Sequence, residues 1–348
     1  MKELKTLYLL HEYGARSHFK ALYECAEKYG YSPTEQIILS NYSLCVEIYR
    51  GIFQKRDFGY VLRLLKERFK LIFLRNQILI VGIAPYDFLL NRYKGLLRRN
   101  RSYYFTSFTH WDSDNGKTGT ERNRTDFEIL LRECFYGAFC VSRKSENGLK
   151  RFVENTSVVN HAISCMDYIK TIPQNSVKRY AFLGLYTSRK NIGLILKWFQ
   201  KNPDVNINMD FMGEGELSEE INKAAMEDLR IKNIGFVDKK SIMKNLHSYD
   251  YLILPSKEEP FGIVLLEALA CGVPCIVSNA DGPTEIIENG RTGFVFDLNN
   301  EEKSFDKVMK QSLEVDRNGY LEMRKNALAE GSHYDASEVV KQWMRLLI

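Results

Sequence analysis

Short apolar runs alternate with longer amphipathic stretches along the whole chain of 348 residues, and that rhythm leaves few folds open. The runs are "TLYLLHEYG" (6–14), "EQIILS" (35–40), "QILIVGI" (77–83), "YYFTSF" (103–108) and "GAFCVS" (137–142). After a change of texture come "RYAFLGL" (179–185), "INMDFMGEG" (207–215), "NIGFV" (233–237), "YLILPS" (251–256), "PCIVS" (274–278) and "GFVF" (293–296). Bounded by Gly, Pro or polar clusters, they read as buried strands, and the stretches between them read as helices covering both faces of parallel sheets. The series runs twice. The first pass ends near "VVNHAIS" (158–164), a polar stretch follows, and "RYAFLG" opens a second edge. The length exceeds what one core usually organises. The expectation is an α/β protein of two domains, 1–168 and 169–334, with a final helix over 335–348 whose Asp335 and Glu338 are spaced as a capping box.

Composition narrows the partners. The seven cysteines (Cys25, Cys45, Cys134, Cys140, Cys165, Cys271 and Cys275) are scattered and form no C-x-x-C pair. This argues against a disulfide framework or a zinc site and points to a reducing cytoplasm. "MKELKTLYLLHEYG" has too short an apolar core for a signal peptide, and the apolar window 71–90 is interrupted by Arg75, Asn76, Gln77 and Asp87, so no span is expected there. Residues 1–150 carry 25 Lys and Arg against 16 Asp and Glu, whereas 151–348 carry 24 against 28. A basic first half suits a lipid surface, a phosphorylated acceptor or nucleic acid, with a solvated basic face as the plain alternative. The basic residues fit no nucleic-acid module, so nucleic acid is not expected. Within "DFGYVLRLLKERFKLIFLR" (57–75) apolar residues recur at helical spacing. The default is core packing with a basic outer face. The functional reading is peripheral contact of the basic 55–75 and 92–101 segments with the anionic inner face of a cytoplasmic membrane.

The stretch "PSKEEPFGIVLLEALACGVPCIVS" (255–278) raises a sharper question. "YLILPS" is a buried strand, "KEEP" the loop at its carboxyl end, and "FGIVLLEALA" a helix stopped by Gly272. Ligands of open α/β sheets bind at the carboxyl ends of strands, so Glu259 and the amides of Phe261, Gly262 and Ile263 stand in the expected place. Glu267 sits on a helix that is apolar all round. A buried carboxylate needs donors, and either ligand hydroxyls or an Arg or Lys from elsewhere would supply them.

With Glu259 and Glu267 in E-P-F-G-I-V-L-L-E, followed by "ALACGVPCIVS" and "GPTEIIENGRTGFVF" (282–296), the chain resembles the retaining glycosyltransferases of family 4. "FLGLYTSRKN" (182–191), "FMGEGEL" (211–217) and "NIGFVDKKSIMKNL" (233–246) extend the likeness. The resemblance implies the GT-B fold, two Rossmann-like domains facing across a cleft, with the last helix returning to the first domain. It implies a donor site for a nucleotide sugar, UDP-linked in the commoner case, and no other cofactor. Glu267 would hold the ribose hydroxyls. Glu259, Phe261, Gly262 and Ile263 would hold the transferred sugar, and Phe236 would lie near the base. Gly184, Gly213, Arg189 and Lys190 would line the diphosphate, faced by Gly14 and Ala15 of the first domain, with His110 near the sugar. Lys190, Glu259 and His110 are the catalytic candidates. Leu185 stands where the family usually carries a diphosphate Arg, and Arg189 is the nearest replacement.

The reaction so implied is transfer of a hexose or N-acetylhexosamine, with retention, to a glycan or lipid-linked acceptor in polysaccharide or glycolipid assembly, of the lipopolysaccharide or capsule kind. Asp112-Ser113-Asp114 imitates an Asp-x-Asp metal motif but reads as an acceptor-side loop, so no metal is expected. A nucleotide-sugar epimerase of the same fold and a non-catalytic sugar-nucleotide binder are the competing classes.

Overall fold

The computed structural model describes residues 5–11, 19–37, 48–54, 56–82, 93–107, 121–163 and 177–347. Gly14, Ala15, His110 and Asp112–Asp114 lie outside them. The chain divides into two compact units, 1–162 with 336–348, and 163–335.

The first unit holds a parallel sheet of β1 (Lys5–His11), β2 (Tyr31–Ile37), β3 (Ile78–Gly82), β4 (Arg101–Thr106), β5 (Gly137–Cys140) and β6 (Thr156–Val158). Their order is β2-β1-β3-β4-β5-β6. The strand expected at 35–40 starts at Tyr31 and contains Pro33. Proline is accommodated because β2 is the sheet edge. The core is formed by Leu10, Leu79, Val81, Tyr104, Phe127, Leu130 and Leu131. The helix Ala336–Leu347 belongs to this unit. Its fully buried Trp343 packs on Phe19, Phe105 and Phe139 with ring centroids 4.8–6.1 Å apart. The Tyr103 hydroxyl donates to the Leu346 carbonyl at 3.3 Å.

The second unit holds β7 (Lys178–Leu183), β8 (Ile207–Met212), β9 (Ile231–Gly235), β10 (Tyr251–Leu254), β11 (Cys275–Ser278) and β12 (Gly293–Phe296). All pairs are parallel, in the order β12-β11-β10-β7-β8-β9. Tyr180, Phe182, Phe199, Phe211, Ile253, Ile276 and Phe305 fill its core. Chain order reverses between β7 and β10, and in the first sheet between β1 and β3. Right-handed crossovers diverge at such a reversal, leaving a crevice beyond the strand ends.

The default reading of the 57–75 segment does not hold. A helix spans Phe58–Phe73, capped by Asp57, which accepts from the Tyr60 amide at 2.8 Å. Val61 and Leu71 are buried, but Phe58, Leu62, Leu65, Phe69, Ile72 and Phe73 are exposed. The apolar stripe is wider than the side the sheet covers, so much of it faces outward. The 92–101 segment is less available than its charge suggests. Lys94 and Arg98 share Glu133, Arg99 donates to the Ile72 carbonyl at 3.0 Å, and Arg101 lies over the Tyr136 ring at 4.3 Å.

Candidate functional site

The site grows from the two strands flanking the reversal in the second unit. β10 is wholly buried and ends at Leu254, and its loop leads into the helix Ile263–Ala270. Gly262 precedes that helix in the left-handed region, φ +96, where glycine alone is unstrained. The far end closes as a Schellman motif: Val273 N–H donates to the Ala268 carbonyl and Gly272 N–H to that of Leu269, both at 2.8 Å, with Gly272 at φ +65. β7 ends at Leu183, Gly184 follows it, and a short turn, Ser188–Lys190, leads into the helix Ile192–Lys201.

The two loops are tied together. Lys190 forms an ion pair with Glu259, and both side chains are largely buried. The Arg189 guanidinium donates to the Glu258 carbonyl at 3.1 Å, and Lys257 N–H donates to the Arg189 carbonyl at 2.9 Å. Ser188 N–H donates to Glu216 at 2.6 Å. Tyr186, fully buried, donates its hydroxyl to Asn233 at 3.0 Å, and burial pushes its phenol pKa up. The "GPTE" turn braces the loop from behind. Gly282 N–H donates to the Glu259 carbonyl at 3.0 Å, and a Cβ on Gly282 would lie 2.4 Å from the Phe261 nitrogen.

Glu267 is buried, and its donor is Lys239, whose Nζ lies 2.6 Å from Oε1. Lys239 opens the helix Lys239–Asn245, capped by Asp238, which accepts from Ser241 N–H at 3.1 Å and from its hydroxyl at 2.6 Å. These bonds hold the Asp238 carboxyl below its ordinary range. Reading the sequence left the donor to Glu267 open and missed Lys239. The only trace was a "DKK" run at a helix start, and spacing does not say which lysine folds back.

The other expected residues divide by environment. Gly184, φ +144, faces open space, whereas a Cβ on Gly213 would meet the Gly184 carbonyl oxygen at 1.9 Å. Gly213 is thus required by the crossing of two strand ends whatever the ligand. Phe261 is buried beside Tyr334, 6.3 Å between centroids, so its ring is taken up by packing. The run 233–237 predicts a strand through Phe236, but β9 stops at Gly235 and Phe236 is 72% exposed beyond it. Leu185 is 67% exposed. Arg189, bound to the Glu258 carbonyl, serves as a tie between loops. Among the described residues no group of three or more His, Cys, Asp or Glu is arranged to hold a metal ion, and no helix is long and apolar enough to cross a membrane.

Comparison with known proteins locates the same region. Residues 170–329 match the family described as "Glycosyl transferases group 1". An uncharacterized glycosyltransferase of Methanocaldococcus jannaschii is 22% identical over 173 residues, 49% of this chain and 48% of the relative. The match therefore spans about half the length of that protein. Among solved structures, Anabaena HepE in complex with UDP aligns with a TM-score of 0.74 at 16% identity over 99% of both chains. A glycosyltransferase from Rickettsia africae aligns with a TM-score of 0.72 at 14% identity, covering 99% of this chain and 97% of its own. The fold of two six-stranded parallel α/β units is that of the GT-B glycosyltransferase structures.

Proposed function

We propose that this protein is a retaining, metal-independent glycosyltransferase of family 4 character that moves a hexose or N-acetylhexosamine from a UDP-sugar to a glycan or lipid-linked acceptor. The observation that carries the reading is the Lys190–Glu259 pair, which couples the two loops at the sheet reversal. An open parallel sheet offers a nucleotide its crevice there. The UDP and UDP-glucose bound in the HepE structures support the donor class.

Breaking a sugar–diphosphate bond builds positive charge on the anomeric carbon and negative charge on the departing phosphate. In this reading the Lys190 ammonium meets the phosphate. Glu259 and the amides of Phe261, Gly262 and Ile263 take sugar hydroxyls. Glu267, oriented by Lys239, takes the ribose hydroxyls, and the exposed Phe236 covers the base. Gly14, Ala15 and His110 remain candidates from the first domain. Neither glutamate suits a covalent mechanism, because in this reading both serve donor hydroxyls rather than flank the bond as a carboxylate pair. The acceptor hydroxyl then attacks from the face the phosphate leaves, and the phosphate takes its proton.

The test is incubation of UDP-sugars with and without glycan acceptors in EDTA, with the anomeric configuration of the product read by NMR. Retention without added metal is expected. Inversion, or an absolute need for Mn²⁺, would overturn the mechanism. Leu185 favours a second reading, a sugar-nucleotide binder without turnover, for which tight UDP-sugar binding with no product would be the sign.

A further inference from the structure

The outward stripe on the first unit has no role in the donor chemistry. Half of the large apolar side chains exposed among the described residues, eight of sixteen, lie between Tyr49 and Phe73, a concentration rather than the scatter usual on a soluble surface. Six are on the helix Phe58–Phe73: Phe58, Leu62, Leu65, Phe69, Ile72 and Phe73, each at least 42% exposed. At 3.6 residues per turn they fall within an arc of about 100°. Val61 and Leu71 lie to one side of the arc and seat the helix in the core. Lys66 and Lys70, both exposed, lie along its other edge. Tyr49 and Phe53, ring centroids 4.9 Å apart, extend the apolar surface beyond the helix start.

In sequence, the charge of this segment is mostly of one sign. The 55–75 segment carries seven Lys and Arg against two Asp and Glu, and Arg56 and Arg75 are exposed at its ends. A protein partner for a stripe of Phe, Leu and Ile would be apolar in its centre and acidic at its rim. An anionic bilayer offers both features over any area. It takes aromatic and aliphatic side chains into the boundary between headgroups and acyl chains, while lysines reach back to the phosphates.

We propose that the helix Phe58–Phe73 is a monotopic membrane-docking surface for anionic phospholipid. It lies in the plane of the leaflet, with Phe58, Leu62, Phe69 and Phe73 inserted and Lys66 and Lys70 at the phosphates. This inference is independent of the glycosyl-transfer reading, since it uses other residues in the other unit.

The test is flotation of the full chain with vesicles of phosphatidylcholine alone or of equimolar phosphatidylcholine and phosphatidylglycerol. Wild type is expected to float with the anionic vesicles and to detach as salt rises. Lys66→Glu/Lys70→Glu should weaken binding by roughly fivefold per lysine neutralised, and further with reversal. Leu62→Ser/Phe69→Ser/Phe73→Ser should abolish it while leaving UDP binding and circular dichroism unchanged. Phe69→Trp provides a gain of signal: its emission should shift to the blue with vesicles and be quenched by brominated lipid beyond the wild-type level. Failure of wild type to float, undiminished binding by the serine variant, or no added quenching in Phe69→Trp would overturn the proposal. So would concentration-dependent dimerisation that the serine variant abolishes, which would assign the stripe to a second copy of this chain.

Discussion

The Lys239–Glu267 pair is asymmetric, and its asymmetry makes a quantitative prediction. The Glu267 side chain is 9% exposed and that of Lys239 is 58% exposed. Replacing Lys239 by Met strands a buried carboxylate at a cost of about 1–3 kcal/mol. Replacing Glu267 by Gln returns a mostly solvated ammonium to water, at about 0–1 kcal/mol once solvent screening is allowed for. For a unit of this size about 1 kcal/mol moves a melting transition by roughly 2–4 °C. Lys239→Met should therefore lower it by roughly 2–12 °C and Glu267→Gln by less than about 4 °C. The double variant should resemble Glu267→Gln rather than the sum, because the two sites share one interaction. Scanning calorimetry of the full chain measures all three, and titration calorimetry with UDP adds the functional half. Glu267→Gln should weaken UDP by about 10–100-fold through loss of charged hydrogen bonds to ribose. If Glu267→Gln proves the more destabilising single change and binds UDP as wild type does, the carboxylate is structural and its assignment to the ribose is wrong.

Three further outcomes are expected. Gly282→Ala drives a Cβ into the Phe261 and Pro260 backbone at 2.4–2.5 Å. It should cost about 1–3 kcal/mol and reduce turnover by displacing Glu259, whereas Gly184→Ala, facing open space, should act mainly through backbone strain; melting curves and initial rates of the two variants check this. Lys190→Met should lower transfer by about 100-fold or more with less effect on UDP affinity, measured as kcat against KM, and Lys190→Arg should restore part of it. Asp238 has a depressed folded-state pKa, so its cap contributes fully above the unfolded value of about 3.9 and is lost as pH falls through the folded value. The difference in Tm between wild type and Asp238→Ala, followed from neutral pH down to acid, should therefore be constant near neutrality and close in acid.

The strands were legible because a strand buried on both faces cannot avoid a continuous apolar run, and "YLIL" and "CIVS" have no other stable placement. What failed was local. β6 is three residues long, too short for a period to register. β2 begins at Tyr31, four residues before the apolar run at 35–40, because an edge strand tolerates Pro33. The outward stripe of the Phe58–Phe73 helix was invisible for a general reason: helical periodicity marks an apolar side but not whether another element covers it. The loops carrying Lys190 and Glu259 stand out through a motif, yet the motif is silent about what holds them. Lys239 is remote in sequence from Glu267, as Gly282 is from Phe261, and neither partnership leaves a trace in spacing. For Gly213, the motif says nothing of the crossing with Gly184 that requires a glycine there.

The helix Ala336–Leu347 closes the core of a unit whose other residues end at Ala162. During synthesis the first unit emerges without Trp343, and the whole of the second unit must be translated before the missing side chains arrive. At about 5–20 residues per second that interval is roughly 9–35 s, far longer than helices and hairpins need to form. The second unit, continuous in sequence from 163 to 335, can be complete by then. The unit made first is thus the one finished last, and during the wait Phe19, Phe105 and Phe139 offer an open aromatic socket to chaperones or to the wrong helix.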